Sequence, residues 1–142
     1  MKVERWHEID AQPELVWSVI SDVARWPSWM PTVRQVTPVP PLPMAIGSRY
    51  RLKQPLQPAA TWQITQFDPP HVFEWERREQ ERLIFVGKHA VEAYRGRARI
   101  YVSLEAFGTL NQLLRPVFGA VIATECRATE RRCLEVKPSQ EP

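Results

Sequence analysis

The sequence predicts an α+β fold in which seven antiparallel strands form one sheet, a long C-terminal helix covers it, and two short helices follow the first strand. Three observations point there. Between residues 47 and 107 apolar and polar side chains alternate in successive runs, the period of strands with one buried face. Residues 110–126 instead carry apolar side chains at helical spacing, and a shorter helical pattern occupies residues 13–26. The order is therefore β, α, α, six β, α. At 142 residues the chain has room for one domain over 1–142 with a single core, ordered from about residue 2 to 137 and ending in a short tail at 138–142.

Each element has its own signal. Residues 2–9, KVERWHEI, alternate enough for a first strand, and Pro13 near a helix start opens a helix over 13–20 with Val16, Trp17 and Ile20 on one face. Ser21 or Asp22 can cap a second short helix through Trp26, which Pro27 and Pro31 should stop. Residues 32–37 look like a strand that dissolves into PVPPLP, 38–43, a stiff loop that reads as a spacer or as a docking motif for a proline-recognising partner. Tyr50 and Leu52, then Trp62 and Ile64 beyond a turn at 54–58, mark two strands. The turn Asp68-Pro69-Pro70 leads into a strand over 71–78, where Phe73 and Trp75 face one way and Glu74 and Glu76 the other, into water. Two longer strands, 83–93 and 97–107, meet at Tyr94-Arg95-Gly96, where Gly can supply a positive φ.

The last segment, 109–137, places Leu110, Leu113, Leu114, Val117, Phe118, Val121, Ile122 and Cys126 at helical spacing. Pro116 removes a backbone donor inside it, so the segment either kinks there or begins with a separate short helix that ends before it. Pro138 helps to end the helix, and SQEP should fray. Only this helix is large enough to cover the apolar face of such a sheet.

Composition narrows the function classes. No run of about 18 uninterrupted apolar residues exists to cross a bilayer as a helix. Residues 1–10 alternate charged and apolar side chains, unlike a secretory signal, which points to a cytoplasmic product. Cys126 and Cys133 lie seven residues apart on one expected helix, about 10 Å along its axis, too far for a disulfide, so both read as buried thiols. The net charge of +3 comes from basic residues scattered through strands and helix, with no tract suited to nucleic acid. GxSxG, GxGxxG and GxxxxGK[ST] are absent, which disfavours hydrolase, dinucleotide and P-loop readings.

Ile9-Asp10-Ala11-Gln12-Pro13-Glu14-Leu15-Val16-Trp17, followed by Ile20, Asp22-Val23, Trp26-Pro27-Ser28-Trp29 and Val33, resembles the N-terminal signature of the START-like, or SRPBCC, superfamily. Within it the chain is most similar to the polyketide cyclase/dehydrase and lipid-transport-like proteins, which have the Bet v 1-like helix-grip fold. The likeness continues through Gly47, Asp68-Pro69-Pro70 and the aromatic strand after it, His89, Gly96 and Gly108, nearly the whole chain. It implies a curved sheet gripping the long helix around a deep apolar cavity that binds hydrophobic small molecules, and it does not name the molecule. The proline-rich loop at 38–43 and Pro116 depart from the pattern.

Candidate chemistry is sparse. His7, His71 and His89 have no partner at metal-ligand spacing, so no metal is expected, and binding a small molecule in a cavity needs no cofactor. Alternation puts His89 on the face of Phe85 and Val91, where an imidazole could be a core residue satisfied by a neighbour or water, a ligand contact, or a proton-transfer residue. On the last strand Ala98, Ile100, Val102 and Leu104 form the expected inward row; the reverse register would turn Arg99, Tyr101, Ser103 and Glu105 inward as a polar stripe. Glu74 and Glu76 share a strand face as a catalytic pair would, yet opposite Phe73 and Trp75 they read as solvated. Trp26, Trp29, Tyr50, Trp62, Phe73, Trp75, Phe85 and Phe118 are either plain core or cavity wall, and with His89 and Ile122 they form the candidate ligand-binding set.

The expected function is binding or carrying a hydrophobic small molecule (a lipid, polyketide, isoprenoid or aromatic metabolite) between sheet and C-terminal helix. One alternative is a cofactor-free cyclase or dehydratase with His89 as the proton-transfer or orienting residue. A second is a partner-binding module working through the proline-rich loop or an exposed apolar patch.

Overall fold

A computed structural model describes residues 1–39, 43–108 and 111–138. Its strands are β1 (Lys2–Ile9), β2 (Gln35–Val39), β3 (Arg49–Lys53), β4 (Ala60–Asp68), β5 (Val72–Glu79), β6 (Arg82–Tyr94) and β7 (Arg97–Ala106). They form one curved antiparallel sheet in the order β1-β7-β6-β5-β4-β3-β2. Helix α1 (Pro13–Ser21) and a 3₁₀ helix (Val23–Ser28) follow β1, and a 3₁₀ turn (Asn111–Leu114) precedes the long helix α2 (Arg115–Val136).

Alternation sets the register. Along β7, Ala98, Ile100 and Val102 are buried and face the helix layer, so the apolar row points inward and the reversed register does not occur. The outer face carries charges and aromatics: Arg99 lies 4.2 Å over the ring of half-exposed Trp6, and Arg78 pairs with Glu76 at 2.7 Å. The β6–β7 hairpin turns through Arg95 and Gly96, both at positive φ (53° and 77°), the geometry that matches strand twist in a two-residue turn. Helix α2 packs on β1, β7 and α1. Its C-terminal half buries Cys126, Ala128, Thr129 and Cys133 against a core that includes Ile9, Val16, Ile20 and Ile100.

Four sequence expectations need correction. The second short helix is 3₁₀ and runs through Pro27 to Ser28 instead of stopping before that proline. A 3₁₀ turn this short accepts a residue without an amide hydrogen. Asp22 makes no capping bond with its side chain, which pairs with Arg25 at 3.2 Å. Strand β2 begins at Gln35, later than expected, and continues through Pro38 and Val39, which had been assigned to the loop. It is an edge strand, where a missing amide hydrogen is tolerated. Residues 40–42 of that loop, Leu110 and the SQEP tail lie outside the described residues.

The last correction concerns the final helix. Its division agrees with one of the two expectations, a short helix that ends before Pro116, which sits in the first turn of α2 where its lost donor costs nothing; what needs correction is burial. Leu113, Leu114 and Val117, expected in the covering stripe, are exposed at 80%, 45% and 55%. The N-terminal part of α2 therefore stands off the sheet. No helix among the described residues is long and apolar enough to cross a membrane.

Candidate functional site

The space beneath that raised end of α2 is a cavity of about 530 Å³. Three cross-strand rows carry its sheet wall, with Ile64, Phe73 and Val102 packed behind the residues that line it. Trp62, Arg77 and Phe85 stand opposite one another on β4, β5 and β6; Ile64, Trp75, Gly87 and Leu104 form the next row; Phe73, His89 and Val102 form the third. Opposite residues of an antiparallel sheet share a face, so one register gathers these side chains. Phe118, Val121, Ile122 and Glu125 supply the helix wall, and Trp26 with Thr32 and Val33 the far side. Leu56, Leu114 and Val117 line the cavity yet are largely exposed, which places its mouth between loop 54–58 and the start of α2.

Seven of the ten candidate residues line this cavity: Trp26, Trp62, Trp75, Phe85, His89, Phe118 and Ile122. Three do not. Trp29 packs edge-on behind Trp26 at 6.2 Å, Tyr50 on β3 meets Trp75 on β5 across the intervening β4 at 6.3 Å, and Phe73 is fully buried beneath His89. They support the wall from behind because each sits one packing layer away from the void. Burial, and then the Asp22 carboxylate, raise the Tyr50 phenol above its ordinary range. The aromatic wall also depends on Gly87. A Cβ there would come within 2.7 Å of Trp75 Nε1, so the indole keeps its place against β6 only beside a glycine.

His89 is 6% exposed and stacks on Phe73 at 4.9 Å with an interplanar angle of 13°. Neither ring nitrogen has a hydrogen-bond partner among the described residues, in contrast to the satisfied core histidine that was one sequence reading. Its Nε2 lies 3.8 Å from Glu125 Oε2, an ion-pair distance when the imidazole is protonated and too long for a hydrogen bond. Glu125 is itself buried, and its other oxygen accepts from Thr32 Oγ1 at 3.2 Å.

A second polar group lies in the first row. The Arg77 side chain is 10% exposed; Nη1 donates to Gln57 Oε1 at 3.1 Å and Nη2 to Glu79 Oε1 at 2.5 Å, while Nε has no partner among the described residues. Trp62 Nε1, on the neighbouring strand, is also without one. The other histidines stand apart from this site, His7 paired with Glu130 at 3.0 Å and His71 exposed before β5. Among the described residues no group of three or more His, Cys, Asp or Glu could hold a metal ion. Cys126 and Cys133 are buried and unpaired. Burial first, then Glu125 and Glu130 respectively, push both thiols up to about 12.

Sequence reading missed Glu125 and Arg77, though both carried a signal. Glu125 lies three and four residues after Ile122 and Val121 and three and four before Ala128 and Thr129, so it interrupts an apolar stripe. Arg77 continues the inward alternation of Phe73 and Trp75.

The fold is shared with several solved proteins at low sequence identity, a likeness that concerns the fold alone. A protein of Thermus thermophilus superposes with a TM-score of 0.77 at 16% identity over 97% of this chain and 100% of its own. The Zhui aromatase/cyclase from a Streptomyces species gives 0.71 at 16% identity over 95% and 94%. Ara h 8.0201 gives 0.72 at 15% identity over 95% and 98%. A search of curated protein sequences returned no match. The family model described as "Polyketide cyclase / dehydrase and lipid transport" matches residues 1–135, and the chain belongs to that family.

Proposed function

We propose that the protein binds a largely apolar, ring-bearing small molecule of lipid, polyketide, isoprenoid or aromatic type in the cavity between sheet and α2. The observation that carries this reading is a void of about 530 Å³ walled by Trp26, Trp62, Trp75 and Phe85 and rimmed by exposed Leu56, Leu114 and Val117. Its volume lies within the range of small-molecule sites. Burying some 250 Å² of apolar ligand surface would contribute about 6 kcal/mol at roughly 25 cal/mol per Å², before the costs of association. Native mass spectrometry of protein purified gently from its own cells tests the proposal. A stoichiometric adduct lost at raised collision energy is the expected result, and its mass gives the ligand class. A bare chain sinks the tight-carrier reading.

The His89–Glu125 arrangement favours a second reading, catalysis without a cofactor. An imidazole that commits neither nitrogen to the fold can take a proton from a carbon next to a ligand carbonyl. The resulting enolate carbon attacks a second carbonyl, whose alkoxide recovers the proton, and Glu125 at 3.8 Å holds the imidazolium in between. The cavity would supply the folded conformation of the chain. The Streptomyces neighbour, an aromatase/cyclase, lends support by analogy of fold. Loss of turnover of a poly-β-ketone in His89→Ala with ligand binding kept is expected on this reading, and unchanged turnover removes His89 from the chemistry.

A further inference from the structure

The carboxylate of Glu125 identifies a feature of the ligand. Glu125 is a wall residue of the cavity, 8% exposed, and its carboxylate sits beside two other wall residues, Thr32 and His89. Thr32 Oγ1 donates to Oε1 at 3.2 Å, which fixes the orientation of the group. Oε2 has no hydrogen-bond partner among the described residues, and His89 Nε2 stands 3.8 Å from it, beyond bonding reach. Both ring nitrogens of His89 are shut off from solvent without a partner, whereas Oε2 is not. No lysine or arginine among the described residues pairs with this carboxylate. Arg77, the other charged group of the wall, is committed to Glu79 and Gln57.

We propose that the molecule bound in this cavity carries a hydrogen-bond donor, a hydroxyl or an ammonium group, received by Glu125 Oε2, with its apolar body lying along the aromatic wall toward the mouth. The proposal rests on the cavity-binding reading and adds a ligand chemistry and an orientation to it. An ionised carboxylate only accepts, and a buried one short of donors is costly, so the group that completes it must donate. A donor brought by the ligand makes a charge-assisted bond in surroundings that are otherwise largely apolar. A ligand whose inner end carries only acceptors leaves Oε2 unmade or faces it with a second negative charge. Position sets the orientation. Glu125 lies eight residues along α2 from Val117 at the mouth, about 12 Å at 1.5 Å per residue, so the donor end enters first.

Three naphthalenes of nearly one shape test this by displacing the fluorophore N-phenylnaphthylamine: 1-naphthalenemethanol, 1-naphthalenemethylamine and 1-ethylnaphthalene, which end in a hydroxyl, an ammonium and a methyl group. For each donor-bearing probe the readout is its dissociation constant relative to that of the ethyl compound, compared between wild type and Glu125→Met. That double comparison cancels the different water affinities of the probes. At least one donor-bearing probe should lose about tenfold or more of its relative affinity in the variant, the worth of a hydrogen bond to a charged group. A loss for the alcohol assigns a hydroxyl to the ligand, and a loss for the amine an ammonium group. Should Glu125→Met not fold, the isosteric Glu125→Gln takes its place; it keeps an acceptor oxygen without the charge, and the expected loss is then about threefold or more. Smaller losses for both probes overturn the donor assignment and leave the cavity reading standing. Failure of N-phenylnaphthylamine to bind at all overturns the cavity reading, and this assignment with it.

Discussion

His89 shows most sharply what the cavity asks of single residues. Its ring is clamped between Phe73 at 4.9 Å and Trp26 at 5.4 Å, and the packing would be served as well by a ring with no nitrogens. Two polar atoms without partners among the described residues therefore reduce stability. His89→Phe is expected to leave stability unchanged or to raise it by about 1 kcal/mol in urea unfolding, while weakening ligand binding or turnover. A loss of more than about 2 kcal/mol would make the histidine structural. The buried thiols lead to a pH dependence. Folding raises Cys126 and Cys133 from 9.0 to about 12, so between those values the unfolded chain gives up protons that the native chain keeps. Stability is thus intact below pH 9 and falls as pH rises from there toward 12. The urea midpoint of the wild type should drop more steeply between about pH 8.5 and about 10.5 than that of the double variant Cys126→Ala, Cys133→Ala.

Among the elements, α2 divides its work along its length. The half beyond Ile122 anchors the helix to β1 and β7, and the half before it roofs the cavity with side chains that water also reaches. Ile122→Ala, at 4% exposure, is expected to cost about 2–5 kcal/mol in urea unfolding. Val117→Asp, at 55% exposure, should stay within about 0.5 kcal/mol yet weaken binding of an apolar ligand at the mouth. Equal costs at the two positions would mean that the whole helix packs on the sheet. Strand positions were legible because alternation at Phe73 and Trp75, or at Ala98, Ile100 and Val102, has one physical cause, a face turned away from water. The start of α2 was not. Leu113, Leu114 and Val117 fit helical periodicity equally well whether they cover a core or rim a void, since spacing records which face a residue takes and not how far that face stands from its neighbour. Pro38 misled for a related reason: a proline excludes an interior strand but not an edge, and edge position is a property of the sheet order.

On the scale of the whole molecule, the sheet and helix enclose more space than their side chains fill, and the shape of that space rests on large rings held by glycine. The aromatic residues were visible in the sequence, but dividing them into wall and support was not, because Tyr50 and Trp62 alternate inward alike as register partners, yet only Trp62 lines the void. Glu125 and Arg77 were overlooked because a charged residue on an apolar face reads as a lapse in the pattern until a cavity gives it a place. Gly87 offers the most direct access to the central claim that this void is a binding site. A side chain at position 87 meets Trp75 Nε1 at 2.7 Å, so the indole that lines the cavity must shift. The decisive measurement is an equilibrium titration of the wild type and Gly87→Val with N-phenylnaphthylamine, alongside urea unfolding of both. One probe per wild-type chain is expected, with affinity at least about tenfold lower in Gly87→Val and a stability cost of about 1–3 kcal/mol. No binding to the wild type, or equal binding to a folded Gly87→Val, would contradict it.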